Sequence, residues 1–167
     1  LGEIAKAEDK HVVEVFFAII AASGALADFR TTLATSEDPV KSAEILLHKR
    51  VVSGTSDGGA HVKFHCGGQY ATDNIMWLVR EEKQISLEEM HYSLSYLPAR
   101  IYGFANRGAL MEGMAGDIYI YDFDTIGYNR DHYETAHCLP DGDWRRVCPA
   151  RGIDWVIVNG EPIFEAG

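Results

Sequence analysis

The sequence predicts an α/β fold in which a mainly helical part is followed by a smaller β-rich part. Two observations predict it. A helix pattern leads into a short β-branched run at residues 51–55, and a helix followed by a buried strand is half of a parallel β/α repeat. Beyond about residue 105, helical spacing stops and Gly-rich turns separate alternating apolar stretches. We therefore predict two parts, residues 1–105 and residues 106–167, with the boundary near 105–110.

The composition indicates a soluble globular chain. The 167 residues are 47% hydrophobic and 11% aromatic, enough to bury a real core. The longest apolar run, residues 12–22, is interrupted by Glu14 and is too short to span a bilayer. Fifteen Lys and Arg against 25 Asp and Glu give a net charge of −10, which excludes nucleic acid and anionic membranes as expected partners.

The cysteines predict a reducing compartment. Cys66, Cys138 and Cys148 are an odd number at wide spacing, which favours free thiols over a disulfide framework. We therefore expect a cytoplasmic protein with three free thiols, of which Cys138 and Cys148 are inert. The chain begins at Leu1 without an initiator Met, so we also expect a piece of a longer protein.

Helix patterns open the chain. Residues 2–23 carry apolar positions at spacings of three and four, which predicts one broken helix or two. Asp9 is placed to cap a second helix and Gly24 to end it. The short mixed stretch 26–33 could form a strand.

A helix and a strand come next. Ser36 or Asp38 can cap a helix that has Pro39 in its first turn and that continues to about His48. Residues 51–55 are brief, β-branched and bounded by a charged pair and a glycine cluster. This pattern is typical of a buried strand in a parallel sheet.

Two further helices are predicted at residues 72–82 and 86–102. Ser86 with Glu89 three residues later forms a capping-box pattern. Pro98 should kink the second helix or restart it, because proline has no backbone N–H to donate.

The remaining pattern is β-rich. Residues 117–122 and 155–158 alternate as strands do, and Asn159-Gly160 is a strong hairpin signal. Residues 122–150 are polar and turn-rich, and their pattern assigns no element.

The candidate site lies directly after the predicted buried strand, at Ser56-Asp57-Gly58-Gly59-Ala60-His61. In parallel α/β folds the loops at the carboxyl ends of the strands carry the chemistry. An Asp followed by two glycines, which let a ligand approach the backbone, suits a metal-water or general-base site. The structural alternative is that Asp57 caps the following segment and the glycines only make a turn.

A local metal site is a second hypothesis for this segment. Asp57, His61, His65 and Cys66 could supply four zinc ligands within ten residues. Their spacing matches no common structural zinc pattern, however, and the segment has no Cys-x-x-Cys. A self-contained zinc site is therefore not expected. The other histidines are expected to be hydrogen-bonded or exposed, and they are His11, His48, His91, His132 and His137.

Three stretches together resemble the carboxyl-terminal third of an amidohydrolase-superfamily enzyme. They are residues 51–61 with Ser-Asp-Gly-Gly-Ala-His, residues 98–104 with Pro-Ala-Arg at their start followed by residues 107–122, and residues 150–164 with the closing hairpin. The resemblance is closest to the N-acyl-D-amino-acid deacylase (D-aminoacylase) group. It covers nearly the whole chain, most strongly from Val51 onward.

The resemblance implies a (β/α)8 barrel that binds one or two divalent metals, usually zinc, and hydrolyses an amide bond. Residues 1–105 would be the last β/α units of that metal-dependent hydrolase barrel, and residues 106–167 a small β-sandwich module. Asp57 would be both catalytic and a metal ligand, taking a proton from metal-activated water and passing it to the leaving amine. Residues placed by the resemblance beside the substrate, an N-acyl-D-amino acid, are Ser56, Gly58, Gly59 and His61.

The chain departs from the family pattern in one respect. The family's early His-x-His, bridging residue and middle-strand histidines have no counterpart here, and a full barrel needs about 250 residues. We therefore expect a carboxyl-terminal piece that is inactive alone and that self-associates or is covered by a companion chain over residues 1–60. The alternative is a non-catalytic α/β fragment or subunit acting in folding or assembly.

Overall fold

The computed structural model describes residues 1–24, 26–27, 29, 38–54, 56–63, 66–130 and 133–166. The chain divides into two compact units, Leu1–Thr35 and Ser36–Gly167. No helix in these described ranges is both long and apolar enough to cross a membrane. The boundary predicted near 105–110 marks the change from helices to strands inside the second unit, and two separate domains there stay a prediction.

The first unit contains two helices, α1 (Gly2–Ala7) and α2 (Val12–Ser23). Gly24 ends α2 in the left-handed conformation, with φ 61°, as predicted. The strand considered for residues 26–33 falls mostly outside the described residues, and Leu26, Ala27 and Phe29 belong to no strand.

The cap predicted for α2 is wrong by two residues. Asp9 lies in the preceding turn with φ 51°, and His11 is the N-cap. The His11 ring accepts a hydrogen bond from the backbone N–H of Val13 at 3.3 Å, while Glu14 accepts one from the His11 backbone. The imidazole nitrogen therefore replaces the carboxylate that usually fills this role.

The second unit opens with helical stretches. They are α3 (Pro39–Leu46), α4 (Tyr70–Asn74), a π-helical segment (Ile75–Glu81), α5 (Leu87–His91), a second π-helical segment (Tyr92–Tyr96) and α6 (Leu97–Ile101).

Local signals placed these helices correctly. Asp38 caps α3 by accepting from the Lys41 backbone, and Ser36, the other cap considered, lies outside the described residues. Ser86 and Glu89 form the predicted capping box of α5. Helix α6 restarts with Pro98 in its first turn, as predicted.

The strands follow residue 117 and all pair antiparallel. They are β1 (Ile118–Tyr121), β2 (Gly127–Tyr128), β3 (Glu134–Ala136), β4 (Arg145–Val147), β5 (Ala150–Arg151), β6 (Ile153–Val158) and β7 (Glu161–Glu165). They form a β1-β6-β7 sheet and two small pairs, β2-β5 and β3-β4. A 3₁₀ turn, Pro140–Gly142, precedes β4. The β6-β7 hairpin turns at Asn159-Gly160, whose φ angles of 53° and 84° confirm the predicted turn.

The buried parallel strand predicted at residues 51–55 is not formed. Its described residues, 51–54, belong to no strand, although Val51, Val52 and Ser53 are half-buried, and Thr55 lies outside the described residues. A parallel strand needs a neighbour to pair with, and no described strand lies beside this segment. Ser53 instead donates its hydroxyl proton to the Ser93 carbonyl. The barrel and β-sandwich stay predictions.

A single hydrophobic cluster joins the helices to the loop after β1. Its buried members are Ala43, Ile75, Leu78, Val79, Ile85, Met90 and Ile126. Leu78 is 1% exposed, and Met90 and Ile126 are fully buried. The core of this unit therefore needs residues from both sides of the predicted boundary.

The close contact between Gly152 and the backbone of Ile126 predicts that a side chain at this glycine destabilises the fold. Gly152 has φ +72°, and a Cβ there would stand 2.5 Å from the backbone nitrogen of Ile126. Gly152→Ala should lower the free energy of unfolding by about 3 kcal/mol or more, because backbone must move. Gly142→Ala is a matched control with the same φ of +72° and nothing within 4 Å of its Cβ. It should cost only about 1 kcal/mol in urea unfolding. An equal loss of unfolding free energy in the two variants would show that the close contact with Ile126 does not determine the cost of a side chain at Gly152.

A second prediction concerns acid sensitivity. His91 Nε2 and the Tyr121 hydroxyl share a 2.7 Å hydrogen bond, and burial lowers the His91 pKa although Glu88 opposes the shift. In the unfolded chain His91 binds a proton near pH 6.5, whereas in the folded chain it binds that proton only at lower pH. The free energy of unfolding therefore falls as the pH drops below about 6.5. His91→Gln should reduce this fall in urea unfolding between pH 7 and pH 5. The His48→Gln control should keep the decline that His91 causes, and an identical decline in His91→Gln would contradict the assignment.

Candidate functional site

The loop that follows residues 51–54 holds all five candidate site residues in a run of tight turns. The Ser56 hydroxyl accepts a hydrogen bond from the Gly58 backbone at 3.1 Å, and the Ala60 backbone donates to the Asp57 carbonyl at 3.0 Å. Asp57 and His61 have φ angles of 54° and 53°, in the left-handed region. Asp tolerates this conformation better than most residues, so the loop geometry suits the sequence.

The residues of this loop differ in their exposure to solvent. Asp57, Gly59 and His61 are exposed, whereas Ser56 and Gly58 are half-buried. The turn thus presents the Asp57 carboxylate to solvent while Ser56 faces its own backbone. The structure brings the predicted residues together as one loop, but it does not place them at the end of a strand.

The end of the loop is tied to the β4 region. The Arg146 backbone donates to the Val62 carbonyl at 2.7 Å, and the Arg146 side chain donates to the Lys63 carbonyl at 2.8 Å. Lys63 pairs with Asp143 at 2.7 Å and lies 5.5 Å from the ring centre of Trp144. The Lys63 ammonium holds the pKa of Asp143 below its usual value. Sequence pattern missed this anchor, because residues 122–150 carried no assignable element.

The described residues do not fit a zinc site. In the ranges the structure describes, no three His, Cys, Asp or Glu side chains converge on a possible cation position. Asp57, His61 and Cys66 therefore do not form one, and His65, the fourth residue considered, lies outside the described residues. Catalytic zinc generally needs three protein ligands, so Asp57 alone is an insufficient donor set.

A second polar cluster, which the sequence did not reveal, lines a cleft of about 410 Å³. The cleft residues are Met76, Glu81, Tyr128, Asn129, Arg130 and Arg151.

Ion pairs organise one side of this cleft. Arg130 pairs with Glu81 at 2.9 Å and with Asp73 at 3.4 Å, while the Tyr128 hydroxyl donates to Asp73 at 2.8 Å. Burial, and then the Asp73 carboxylate, raise the pKa of Tyr128 well above its ordinary value. Tyr128 therefore stays a neutral hydrogen-bond donor at physiological pH.

The cysteines lie free in the structure, as the sequence predicted. Cys66 and Cys148 are half-buried and Cys138 is exposed. The Cys148 thiol donates to the Asn129 carbonyl at 3.7 Å, and burial raises its pKa, with the nearby Cys66 adding to the effect. A thiol whose pKa is raised is a weak nucleophile, which agrees with the inert role expected for it.

The two loop glycines provide a matched test of how the loop is held. A Cβ on Gly58 would stand 3.1 Å from the Ser56 hydroxyl and 3.4 Å from the backbone of Gly68, whereas Gly59 has nothing within 4 Å. Gly58→Ala should lower the free energy of unfolding by about 1 kcal/mol through crowding. Gly59→Ala should leave it unchanged or raise it by about 0.5 kcal/mol. Urea unfolding and amide chemical shifts of residues 56–68 measure both, and a neutral Gly58→Ala would contradict the packing against Gly68.

Comparison with known proteins finds one informative similarity. The N-acyl-D-glutamate deacylase of Alcaligenes xylosoxydans xylosoxydans is 31% identical over 86 residues, which cover 52% of this chain and 15% of that protein. No family model matches the chain, and no solved structure matches it significantly. The similarity supports a relationship to a hydrolase over about half of this chain, and the matched part is a small share of the deacylase.

Proposed function

We propose that this chain is the carboxyl-terminal part of an amidohydrolase of the D-aminoacylase type, which removes the acyl group from N-acyl-D-amino acids. The observation that carries the proposal is the 31% identity over 86 residues to an N-acyl-D-glutamate deacylase. The Ser-Asp-Gly-Gly-Ala-His loop adds support, because it supplies an accessible carboxylate flanked by glycines. The reaction acts on a non-peptide carbon–nitrogen bond and yields a carboxylic acid and a free D-amino acid.

In this proposal Asp57 moves the proton. The oxygen of a water molecule attacks the amide carbonyl carbon while the water gives a proton to the Asp57 carboxylate. The carbon–nitrogen bond then breaks as Asp57 passes this proton to the leaving amine. Three features of the loop serve this role. The Asp57 side chain is exposed, and the open side of Gly59 leaves room for a substrate to approach. The backbone of Gly58 is held by Ser56, which fixes the turn.

The wider architecture belongs to the same proposal. We propose that the complete protein is a cytoplasmic zinc enzyme with a (β/α)8 barrel, to which this chain adds terminal β/α units and a β-sandwich module. The metal-ligating side chains that the structure describes do not form a zinc site. The role that we assign to this chain is therefore proton transfer by Asp57, and not binding of the metal. The isolated chain is then inactive.

A non-catalytic role is the second candidate, and exposed apolar side chains favour it. Phe17 is 61% exposed, Leu26 is 87% exposed and Leu110 is 71% exposed. Exposed apolar side chains that lie together mark a contact with another protein surface. In this alternative the chain packs against a companion chain or against a second copy and assists folding or assembly.

The test compares the isolated chain with the longest natural polypeptide that contains it. Asp57→Asn removes the proton carrier but tolerates the left-handed turn, and in the longer polypeptide it should lower kcat for N-acetyl-D-glutamate by about 10²- to 10⁴-fold. Asp141→Asn is the matched control, since Asp141 is also exposed and has φ 58°. It should keep full activity.

Three results would contradict parts of the proposal. Turnover by the isolated 167-residue chain with added zinc would overturn its inactivity. Full activity of Asp57→Asn in the longer polypeptide would remove Asp57 from the mechanism. No hydrolysis of any N-acyl-D-amino acid by the longer polypeptide would favour the non-catalytic alternative, which light scattering of the isolated chain would then test as self-association.

A further inference from the structure

In the cleft beside the π-helical segment Ile75–Glu81, the exposed side chain of Arg151 has no acidic or hydrogen-bond partner among the residues that the structure describes. Arg151 lies in β5, directly across the strand pair from Gly127. A Cβ on Gly127 would stand 3.7 Å from Arg151 Nη2, 3.8 Å from its Nε and 3.0 Å from the Met76 sulfur. The missing side chain at Gly127 therefore lets the guanidinium lie over the backbone next to the buried Met76.

Two other polar side chains of the cleft already have partners. Arg130 forms ion pairs with Glu81 and Asp73, and the Tyr128 hydroxyl donates a hydrogen bond to Asp73. Among the residues that the structure describes, none accepts a hydrogen bond from the Arg151 side chain. An exposed arginine that lies across backbone and has no acceptor among the described residues is a ready receptor for an anion.

We propose that this cleft binds a small carboxylic acid, with its carboxylate on the guanidinium of Arg151 and its apolar part against Met76 and the Tyr128 ring. The planar guanidinium matches two carboxylate oxygens with two parallel N–H donors. The cleft is open to solvent, and its volume of about 410 Å³ is in the range of small-molecule sites. The site shares no residue with the Asp57 loop and does not depend on the proposed hydrolase activity.

The surrounding charges favour a carboxylate over a phosphate. Glu81 lines the same cleft, and the whole chain has a net charge of −10. A second negative charge on the ligand adds repulsion from Glu81, while the other arginine that lines the cleft, Arg130, is already paired with Glu81 and Asp73. Singly charged carboxylates are therefore preferred over inorganic phosphate, which is largely dianionic near neutral pH.

The experiment titrates the full chain with benzoate, benzamide and inorganic phosphate while recording amide chemical shifts. Benzoate should shift the amides of residues 127–130 and 151 in a saturable way. Benzamide has the same shape without the charge, and it should bind at least tenfold more weakly. Phosphate should also bind at least tenfold more weakly than benzoate. Equal binding of phosphate, or no saturable shift with benzoate, would overturn the proposal.

Variants identify the residue responsible. Arg151→Gln should weaken benzoate binding at least tenfold. Arg151→Lys should bind benzoate with an affinity between those of the parent and Arg151→Gln, because it keeps the positive charge but loses the two parallel N–H donors of the guanidinium. Arg50→Gln makes the same change in net charge at an exposed arginine outside the cleft, and it should bind benzoate as the parent does. Circular dichroism checks that each variant is folded. Unchanged benzoate affinity in folded Arg151→Gln would overturn the assignment.

Discussion

The Arg80 guanidinium holds the helical and β-rich segments of the second unit together. Its Nη1 donates to three backbone carbonyls in the turn after β1, those of Phe123 at 3.0 Å, Asp124 at 3.2 Å and Ile126 at 2.6 Å. Hydrogen bonds from a charged donor are stronger than neutral ones, and here one side chain satisfies carbonyls that a turn would otherwise leave open. The turn is thereby fixed against the π-helical segment that carries Arg80.

The rest of this unit follows from that fixed turn. Ile126 becomes fully buried among Leu78, Met90 and their neighbours, and its backbone lies so close to Gly152 that no side chain fits there. The next residue, Gly127, then pairs with Arg151 beside the Met76 sulfur. The core and the cleft are therefore two consequences of the same placement of residues 123–127.

The two candidate sites differ in what their chemistry can do. The Asp57 loop offers one accessible carboxylate on a turn that is held by short-range hydrogen bonds and by Arg146 at its end. Such a group can carry a proton, but the described residues give it no companions for holding a metal. The cleft instead offers an arginine with no described acceptor, which suits binding of an anion rather than bond cleavage. The loop is thus the place of the proposed reaction, and the cleft is the place of the proposed carboxylate binding.

The sequence by itself determined the features that depend on neighbours within about four residues. The capping box of Ser86 and Glu89, the Asp38 cap with Pro39, the Gly24 stop and the Asn159-Gly160 turn all form where the pattern placed them. Each is a local hydrogen bond or a backbone preference, so it needs no distant partner. The positions of Ser56, Asp57 and His61 in one loop were predictable for the same reason.

Only the tertiary structure decided the features that need partners far along the chain. A strand at residues 51–55 requires a paired neighbour, and β-branched composition cannot supply one. The cleft depends on Tyr128 meeting Asp73, 55 residues away, and on Arg130 meeting the same carboxylate at a separation of 57 residues. No periodicity links such positions. The burial of Ile126 and the hydrogen bonds of Arg80 hold the chain folded back on itself, which brings these groups together.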